Sequence, residues 1–431
     1  MKSLLQRRDF LRQVAAAGSV APFADVLLAE QSKTPPLERL NIGVIGVNGR
    51  GAENLAAVSS ENVVALCDVD LARAGEARVA FPKASFYQDF RKLLDHNGIE
   101  AVVLSTPDHM HAVPGVMALR LGMHLYCEKP LAHSVYETRV LREVAAENRR
   151  VTQLGTQIHS GSNYRRAVEI IQAGVIGAVE RVHVWFTGRP KTGKRVQQGT
   201  PPATLDYDLW LGPAPYRPYH PSHCHYHWRW WWDFANGILG DFGCHYLDLP
   251  FWALKLRYPT SIEAAGEKDH DGENDVPALM RVEFNFPARG ELPPVQLTWH
   301  HGGWKPKEAD QYPEYCEKSA ILFVGSEGQL LADYSTHKLY PEEKFHGLKT
   351  EHSIPESIGH HKEWLQAIKR GGQATCNFDY SGALTETVLL GNVAYRTGKK
   401  LEWDAATLKV TNDVREAAGY IQREYRKGWT L

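Results

Sequence analysis

Between residues 40 and 158, short runs of consecutive apolar residues alternate with stretches whose apolar positions recur every three or four residues. The runs at 41–45, 63–67, 101–104, 124–127 and 151–154 have the length and continuity of strands buried on both faces. The stretches at 87–95, 112–121 and 135–147 have helical spacing. This alternation predicts a parallel sheet covered by helices, whose ligands lie beyond the carboxyl ends of the strands. After residue 158 the texture changes. A helix is expected at 164–173 and a strand at 179–186, followed by a stretch at 191–232 that is rich in Pro, Gly, His and Trp and has little periodicity. A helical segment at 240–256 precedes strands near 261–264, 279–286, 295–301 and 320–324, with helices at 360–368 and 380–396. The second half therefore reads as α+β with a largely antiparallel sheet.

The first apolar run ends at Gly46 in the segment LNIGVIGVNGRGAENLAAVSSENVVALCDVD, and the next ends at Asp68. A strand, a Gly-rich turn, a helix and a second strand ending in an acid describe a dinucleotide-binding βαβ unit. Gly46 can make the tight turn, Gly49 lets the backbone approach a pyrophosphate, and Gly51 lets the helix pack closely on the sheet. The helix amino terminus supplies free N–H groups to the phosphates. Asn48 stands where the second glycine of G-x-G-x-x-G falls, and Asn tolerates left-handed backbone better than most residues. Asp68 is placed to accept from the adenosine ribose hydroxyls and would repel the 2′-phosphate of NADP. That favours NAD as the cofactor. Arg50 could reach that phosphate, which leaves NADP as the alternative. The fold class is thus α/β, with a Rossmann domain at 40–158 followed at 159–431 by an α+β domain with an open, mostly antiparallel sheet for substrate and oligomerisation.

The 431 residues are too many for one ordinary core, which agrees with two domains. A formal net charge of −1 argues against a nucleic-acid partner. Beyond the first 30 residues no apolar run is long enough to span a bilayer. Residues 1–39 read as a signal and linker. MKSLLQRRDFLRQ carries paired arginines, Arg7 and Arg8, before a mildly apolar stretch, as twin-arginine export signals do. The expected location is the periplasm. The six cysteines show no C-x-x-C spacing and read as buried thiols.

Three groups of residues can carry chemistry. Glu128-Lys129-Pro130 follows a strand at the edge of the expected crevice. The proline disfavours helical geometry at Lys129, whose ammonium can donate to a substrate hydroxyl and stabilise alkoxide. In GDFGCHYLD, residues 240–248, Asp241 and His245 share a helix face, a pairing suited to removing a hydroxyl proton. In HPSHCHYHWRWWWDF, residues 220–234, His223, His225 and His227 alternate as in a strand, and no acidic ligand stands near them until Asp233. No metal site is expected there. Trp228, Arg229 and Trp231 are candidate substrate contacts, the indoles stacking on a sugar ring or anchoring the domains together.

Together with the nucleotide turn, S-T-P-D-H-x-H-A (105–112), Y-C-E-K-P-L-A (126–132) and G-D-F-G-C-H-Y-L-D (240–248) resemble the Gfo/Idh/MocA oxidoreductases. The resemblance runs from residue 40 to the carboxyl terminus. It is closest to an exported subgroup that shares blocks similar to TLDYDLWLGPAP (204–215) and WRWWWDFANGILGDFG (228–243). It implies that Lys129 touches substrate and cofactor and that Asp241 and His245 form the Asp-x-x-x-His pair, with His245 the general base. It also implies that Thr106, Pro107 and His111 form the loop beside the cofactor, with Glu128 at its edge and Gln157 near the nicotinamide. Asn48 departs from the family's glycine.

The expected activity is NAD(P)-dependent hydride transfer from a secondary hydroxyl of a sugar, glycoside or cyclitol. A homo-oligomer is expected from the open sheet. Glycoside hydrolysis through transient oxidation, and a non-catalytic sugar or nucleotide sensor, are the alternatives.

Overall fold

The computed structural model describes residues 39–190, 198–268, 276–315 and 317–431. Arg7, Arg8 and the rest of the expected signal up to residue 38, together with Cys316, lie outside the described residues.

Six strands make the first sheet: β1 (Asn41–Ile45), β2 (Asn62–Cys67), β3 (Ser85–Tyr87), β4 (Ala101–Leu104), β5 (His124–Cys127) and β6 (Thr152–Leu154). Their order is β3-β2-β1-β4-β5-β6, and every pairing is parallel. The chain leaves β1 towards β2 on one side and later places β4 on the other. Between β1 and β4 the carboxyl ends therefore diverge into a crevice, where such sheets bind ligands. Ile42, Val44, Val102 and Leu104 are fully buried, as continuous apolar runs require.

Nine strands make the second sheet: β7 (Val179–Phe186), β8 (Ser261–Glu267), β9 (Leu279–Phe286), β10 (Val295–His301), β11 (Ala320–Gly325), β12 (Gln329–Ala332), β13 (His337–Tyr340), β14 (Leu401–Asp404) and β15 (Lys409–Val410). Their order is β13-β12-β11-β7-β10-β9-β8-β14-β15. Only the β7–β10 pair is parallel among these strands. One face packs on the helices Ser162–Gln172, Gly237–Tyr246 and Phe378–Thr397, through Val182, Leu297 and Phe284 against Leu239, Val388 and Ile171. The Gly237–Tyr246 helix is thereby fixed between this sheet and the crevice.

Several sequence expectations shift. The 87–95 segment is not one helix: Tyr87 ends β3, and Asp89 caps a short helix, Phe90–Leu94, by accepting from the Arg91 N–H at 2.9 Å. The 240–256 segment is two helices, Gly237–Tyr246 and Asp248–Ala253. Pro250 has no N–H to offer the Tyr246 carbonyl, so the hydrogen-bond ladder breaks there. The boundary at 158 does not divide the core cleanly. Helix His360–Arg370 returns to the first domain, where Trp364, Leu365 and Ile368 pack with Leu40, Ile42, Val44 and Tyr126. Leu154 then donates its N–H to the Cys376 carbonyl at 3.0 Å. Beyond it, helix Phe378–Thr397 ties both domains, its Glu386 receiving both prongs of Arg139 at 2.8 Å.

Candidate active site

The turn after β1 is built for close approach. Gly46 has φ +82°, and a Cβ there would stand 2.7 Å from the Ser105 carbonyl oxygen. A Cβ on Gly51 would stand 2.0 Å from the Gly46 oxygen, so the helix Arg50–Ala57 begins directly against the turn. Gly49, at φ +58°, has only the Arg73 Nη2 within 4 Å of where a Cβ would be, which leaves open space for a pyrophosphate. The carboxylate of Asp68 sits at the end of β2, held by the N–H groups of Val47 at 3.2 Å and Asp70 at 3.0 Å. Burial raises its pKa despite those bonds. An open glycine turn, a helix amino terminus and a fixed acid beyond the second strand fit a dinucleotide.

The neighbouring side chains differ from the sequence expectation. Asn48 donates to the Arg73 carbonyl at 3.0 Å and accepts from the Arg73 guanidinium, so it pins the turn from the side. Arg50 is committed to the β5 side: its Nε donates to Glu128 at 3.1 Å, and it pairs with Glu53. The groups whose charge acts against the rise at Asp68 are His225 and then Arg73. Arg50 is therefore not placed as the ligand of a ribose 2′-phosphate. Glu128 also accepts from Asn54 Nδ2 at 2.9 Å and sits against Gly155, where a Cβ would be 2.6 Å from its carboxyl carbon.

Thr106 donates to the Met110 carbonyl at 3.0 Å. The ring nitrogens of buried His111 face the carbonyls of Pro130 and Thr106, each at 2.8 Å. With Pro107 extended before the 108–110 turn, these residues set the shape of the loop rather than offering free groups to a ligand. Gln157 is exposed on a turn, Gln157–Ser160, just past the end of β6.

On the other side of the crevice the two domains meet. Lys129, just past β5, donates from Nζ to the Asp241 backbone carbonyl at 2.7 Å and forms an ion pair with the Asp241 carboxylate. Arg229 stands on the opposite oxygen, its Nε at 3.6 Å. Burial pushes the Asp241 carboxyl up, but Lys129 and then Arg229 outweigh it and hold it below its ordinary value. One helical turn on, His245 is buried, and burial followed by Lys129 lowers its pKa to about 3. The imidazole is therefore neutral across the physiological range, held so by burial and the Lys129 charge. Its Nδ1 has no partner among the described residues. A cation, an oriented carboxylate and a neutral imidazole can together bind a hydroxyl and remove its proton.

Two family models match the chain. One, described as an oxidoreductase family with an NAD-binding Rossmann fold, covers residues 40–156; the family's C-terminal alpha/beta domain covers 172–291. Inositol 2-dehydrogenase 2 of Saccharopolyspora erythraea is 32% identical over 335 residues, covering 68% of this chain and 86% of that protein. The chain belongs to the Gfo/Idh/MocA oxidoreductases. Inositol 2-dehydrogenase of Salmonella paratyphi B is 31% identical over 153 residues, 33% of this chain. The match spans only 45% of that relative's length. A glycosyl hydrolase family 109 protein of Solibacter usitatus is 31% identical over 192 residues, covering 40% of this chain and 43% of that protein. Among solved structures, GenD2 from gentamicin A biosynthesis in complex with NAD has the same fold. Its TM-score is 0.61 at 20% identity, covering 88% of this chain and all of that one.

Of the two roles read for the indoles of the 220–234 segment the structure shows the anchor, and its histidines depart from the strand spacing. Trp228 and Trp231 are buried in a cluster with Leu205, Trp210, Leu211 and Phe234, so they anchor the 205–235 segment and present no open ring face. Arg229 alone of that trio faces the reactive group, its guanidinium 4.3 Å from the Trp228 ring. The histidines around 220–227 do not form a strand. His225 Nε2 instead meets Asp70 at 2.9 Å, and Asp206 donates its N–H to the Val69 carbonyl at 2.9 Å, latching this segment over the end of β2.

Sequence reasoning also missed two groups. Asp108, inside the quoted S-T-P-D-H motif, is buried beside Asn236, and nothing in its spacing sets it apart from a turn former. His159, Asp248 and Cys376 form a buried group of metal-ligand types. There His159 Nδ1 is on Asp248 at 2.9 Å and Tyr380 donates to the same carboxylate at 2.7 Å, while His159 Nε2 has no partner among the described residues.

Proposed function

We propose that the protein oxidises a secondary hydroxyl of a sugar, glycoside or cyclitol with NAD as hydride acceptor. The observation that carries this reading is the meeting of Lys129, from the nucleotide domain, with Asp241 and His245, from the second domain, beside an open dinucleotide turn. The Lys129 ammonium, held by the Asp241 side chain and backbone, donates to the substrate oxygen and stabilises the charge that develops there. Neutral His245 takes the hydroxyl proton. Bound NAD supplies the acceptor for the carbon-bound hydrogen. Gly46, Gly49 and Gly51 would hold its pyrophosphate, Asp68 its ribose, and Gln157 would lie towards its nicotinamide. The inositol 2-dehydrogenase relatives support a polyhydroxylated ring as substrate.

The Solibacter relative supports a second reading, in which the same site cleaves a glycoside through transient oxidation without net reduction of NAD. Incubation with NAD and either myo-inositol, glucose or a nitrophenyl N-acetylgalactosaminide separates the readings. Net NADH supports the dehydrogenase, release of nitrophenol without net NADH supports the hydrolase, and neither defeats both. The paired Arg7 and Arg8 support twin-arginine export with the nucleotide already bound. Unimpaired export after replacing both with Lys would defeat that part. A homo-oligomer formed through the open second sheet completes the reading, and its mass in solution tests it.

A further inference from the structure

The reactive group contains a carboxyl that the proposed chemistry does not use. Asp108 follows β4 and opens the turn Asp108–Met110, its side chain only 4% exposed. Among the described residues, only the Asn236 amide donates to it, at 3.3 Å, and that amide also reaches the His133 carbonyl at 3.2 Å. Asn236 immediately precedes the helix that carries Asp241 and His245. The carboxyl therefore lies inside the domain junction, in the field of Asp241, Lys129 and Arg229, without an ion-pair partner of its own. A buried carboxyl with one long hydrogen bond has too little compensation to hold its charge comfortably.

We propose that Asp108 is a further ionisable residue of the substrate site, and that its protonation state sets the net charge that Lys129, Arg229 and Asp241 present to the substrate hydroxyl. The inference rests on the dehydrogenase reading. With Asp108 protonated, two cations face one carboxylate, and the surplus positive charge favours alkoxide as hydride leaves. With Asp108 ionised, that surplus is cancelled. Asp108 acts through the Lys129–Asp241 pair and is a positioning residue in that sense. Burial, followed by the charge of Asp241, raises its pKa to about 7, against the pull of Lys129, Arg229 and Asn236.

Burial shifts the histidines and thiols around it away from neutrality. On its own turn, burial lowers His109 to about 3 and also lowers His111. Burial puts His133 well below its ordinary value, and His245 lies near 3. Burial raises Cys127 well above its ordinary value and Cys244 to about 12. Asp241 stays ionised. The favourable form is present below pH 7 and is lost as pH rises through it.

The test uses the holoenzyme with aspartate labelled at the side-chain carboxyl with carbon-13. Wild type should show one carboxyl resonance titrating near neutrality, and Asp108→Asn should lack it. With myo-inositol as substrate, the wild-type hydride-transfer rate should fall by about 10- to 100-fold on the alkaline side of that midpoint, the span an adjacent charge commands. Asp108→Asn, which keeps the neutral form, should show no such fall. Should that variant not fold, Asn236→Ala, which removes the only donor among the described residues, should move the midpoint upward. Absence of the resonance in wild type, its persistence in Asp108→Asn, or an unchanged pH profile in that variant overturns the proposal. A protein that shows the resonance but reduces no NAD with any polyol instead overturns the dehydrogenase reading.

Discussion

Replacing Lys129 with Met keeps most of the aliphatic stem and removes the charge. The structure says what is lost: a donor at 2.7 Å to the Asp241 carbonyl and the ion pair with its carboxylate. In the substrate complex it also removes the one ammonium placed to meet the developing alkoxide. Removing a single donor of that kind costs about 100- to 1,000-fold in rate. The effect on folding is smaller. Breaking a fully buried pair costs about 3–5 kcal/mol. Here the two side chains keep 15% and 19% of their surface, and Arg229 remains at 3.6 Å, so the loss should stay near that of one charged hydrogen bond, about 2 kcal/mol. Lys129 also helps to hold Asp241 below its ordinary value of 3.8. A depressed carboxyl stabilises the fold above its unfolded pKa, and that contribution is lost as pH falls through the folded value. The variant should therefore lose less stability than wild type as the solution is acidified below about pH 4. Stopped-flow nicotinamide absorbance with myo-inositol reads the rate, calorimetry reads NAD affinity, and circular dichroism follows acid unfolding. A rate within about fivefold of wild type at unchanged NAD affinity would refute the role assigned to Lys129.

Gly51→Ala should lower NAD affinity by about 10- to 100-fold while the protein stays folded, because its Cβ meets the Gly46 oxygen at 2.0 Å and must push the helix off the turn. Unchanged affinity by calorimetry would show that the turn does not hold the nucleotide. Arg139→Ala should cost about 3–5 kcal/mol in urea unfolding, since it strands the fully buried Glu386 carboxylate. The double change Arg139→Met with Glu386→Met should recover most of that loss, and no recovery would argue against a simple pair. Asp68→Ala should narrow the preference for NAD over NADP, because the acid is fixed at the end of β2 and Arg73 stands near it. An unchanged ratio of affinities would remove Asp68 from cofactor choice.

Much of the first domain was legible because its signals are local. A buried parallel strand must be a continuous apolar run, and β1, β4 and β5 begin and end where the runs do. The glycines of the turn, and the Lys129, Asp241 and His245 set, could be named from spacing. Their meeting across the domain junction entered only through the resemblance. What was hidden depends on long-range packing. Helix His360–Arg370 has an ordinary amphipathic pattern, and nothing in it says that Trp364 completes the core of the first domain. Its position in the turn says only that Arg50 could reach a 2′-phosphate, whereas Glu128, 78 residues on, decides where it points. For Trp228 and Trp231 the sequence left stacking and anchoring both open, and packing with Trp210 and Phe234 decides for the anchor. Asp108 could not be singled out because its importance comes from being buried next to charges borne by three other segments.

The central claim is that a carbon-bound hydrogen of a polyol passes directly to nicotinamide while His245 takes the hydroxyl proton. The most direct measurement uses myo-inositol deuterated at carbon, incubated with the holoenzyme, followed by mass analysis of the released nucleotide. The account predicts one deuterium on the reduced cofactor from wild type and none when His245 is replaced by Ala. Reduced cofactor that carries no deuterium, or equal labelling in the His245→Ala variant, would contradict it.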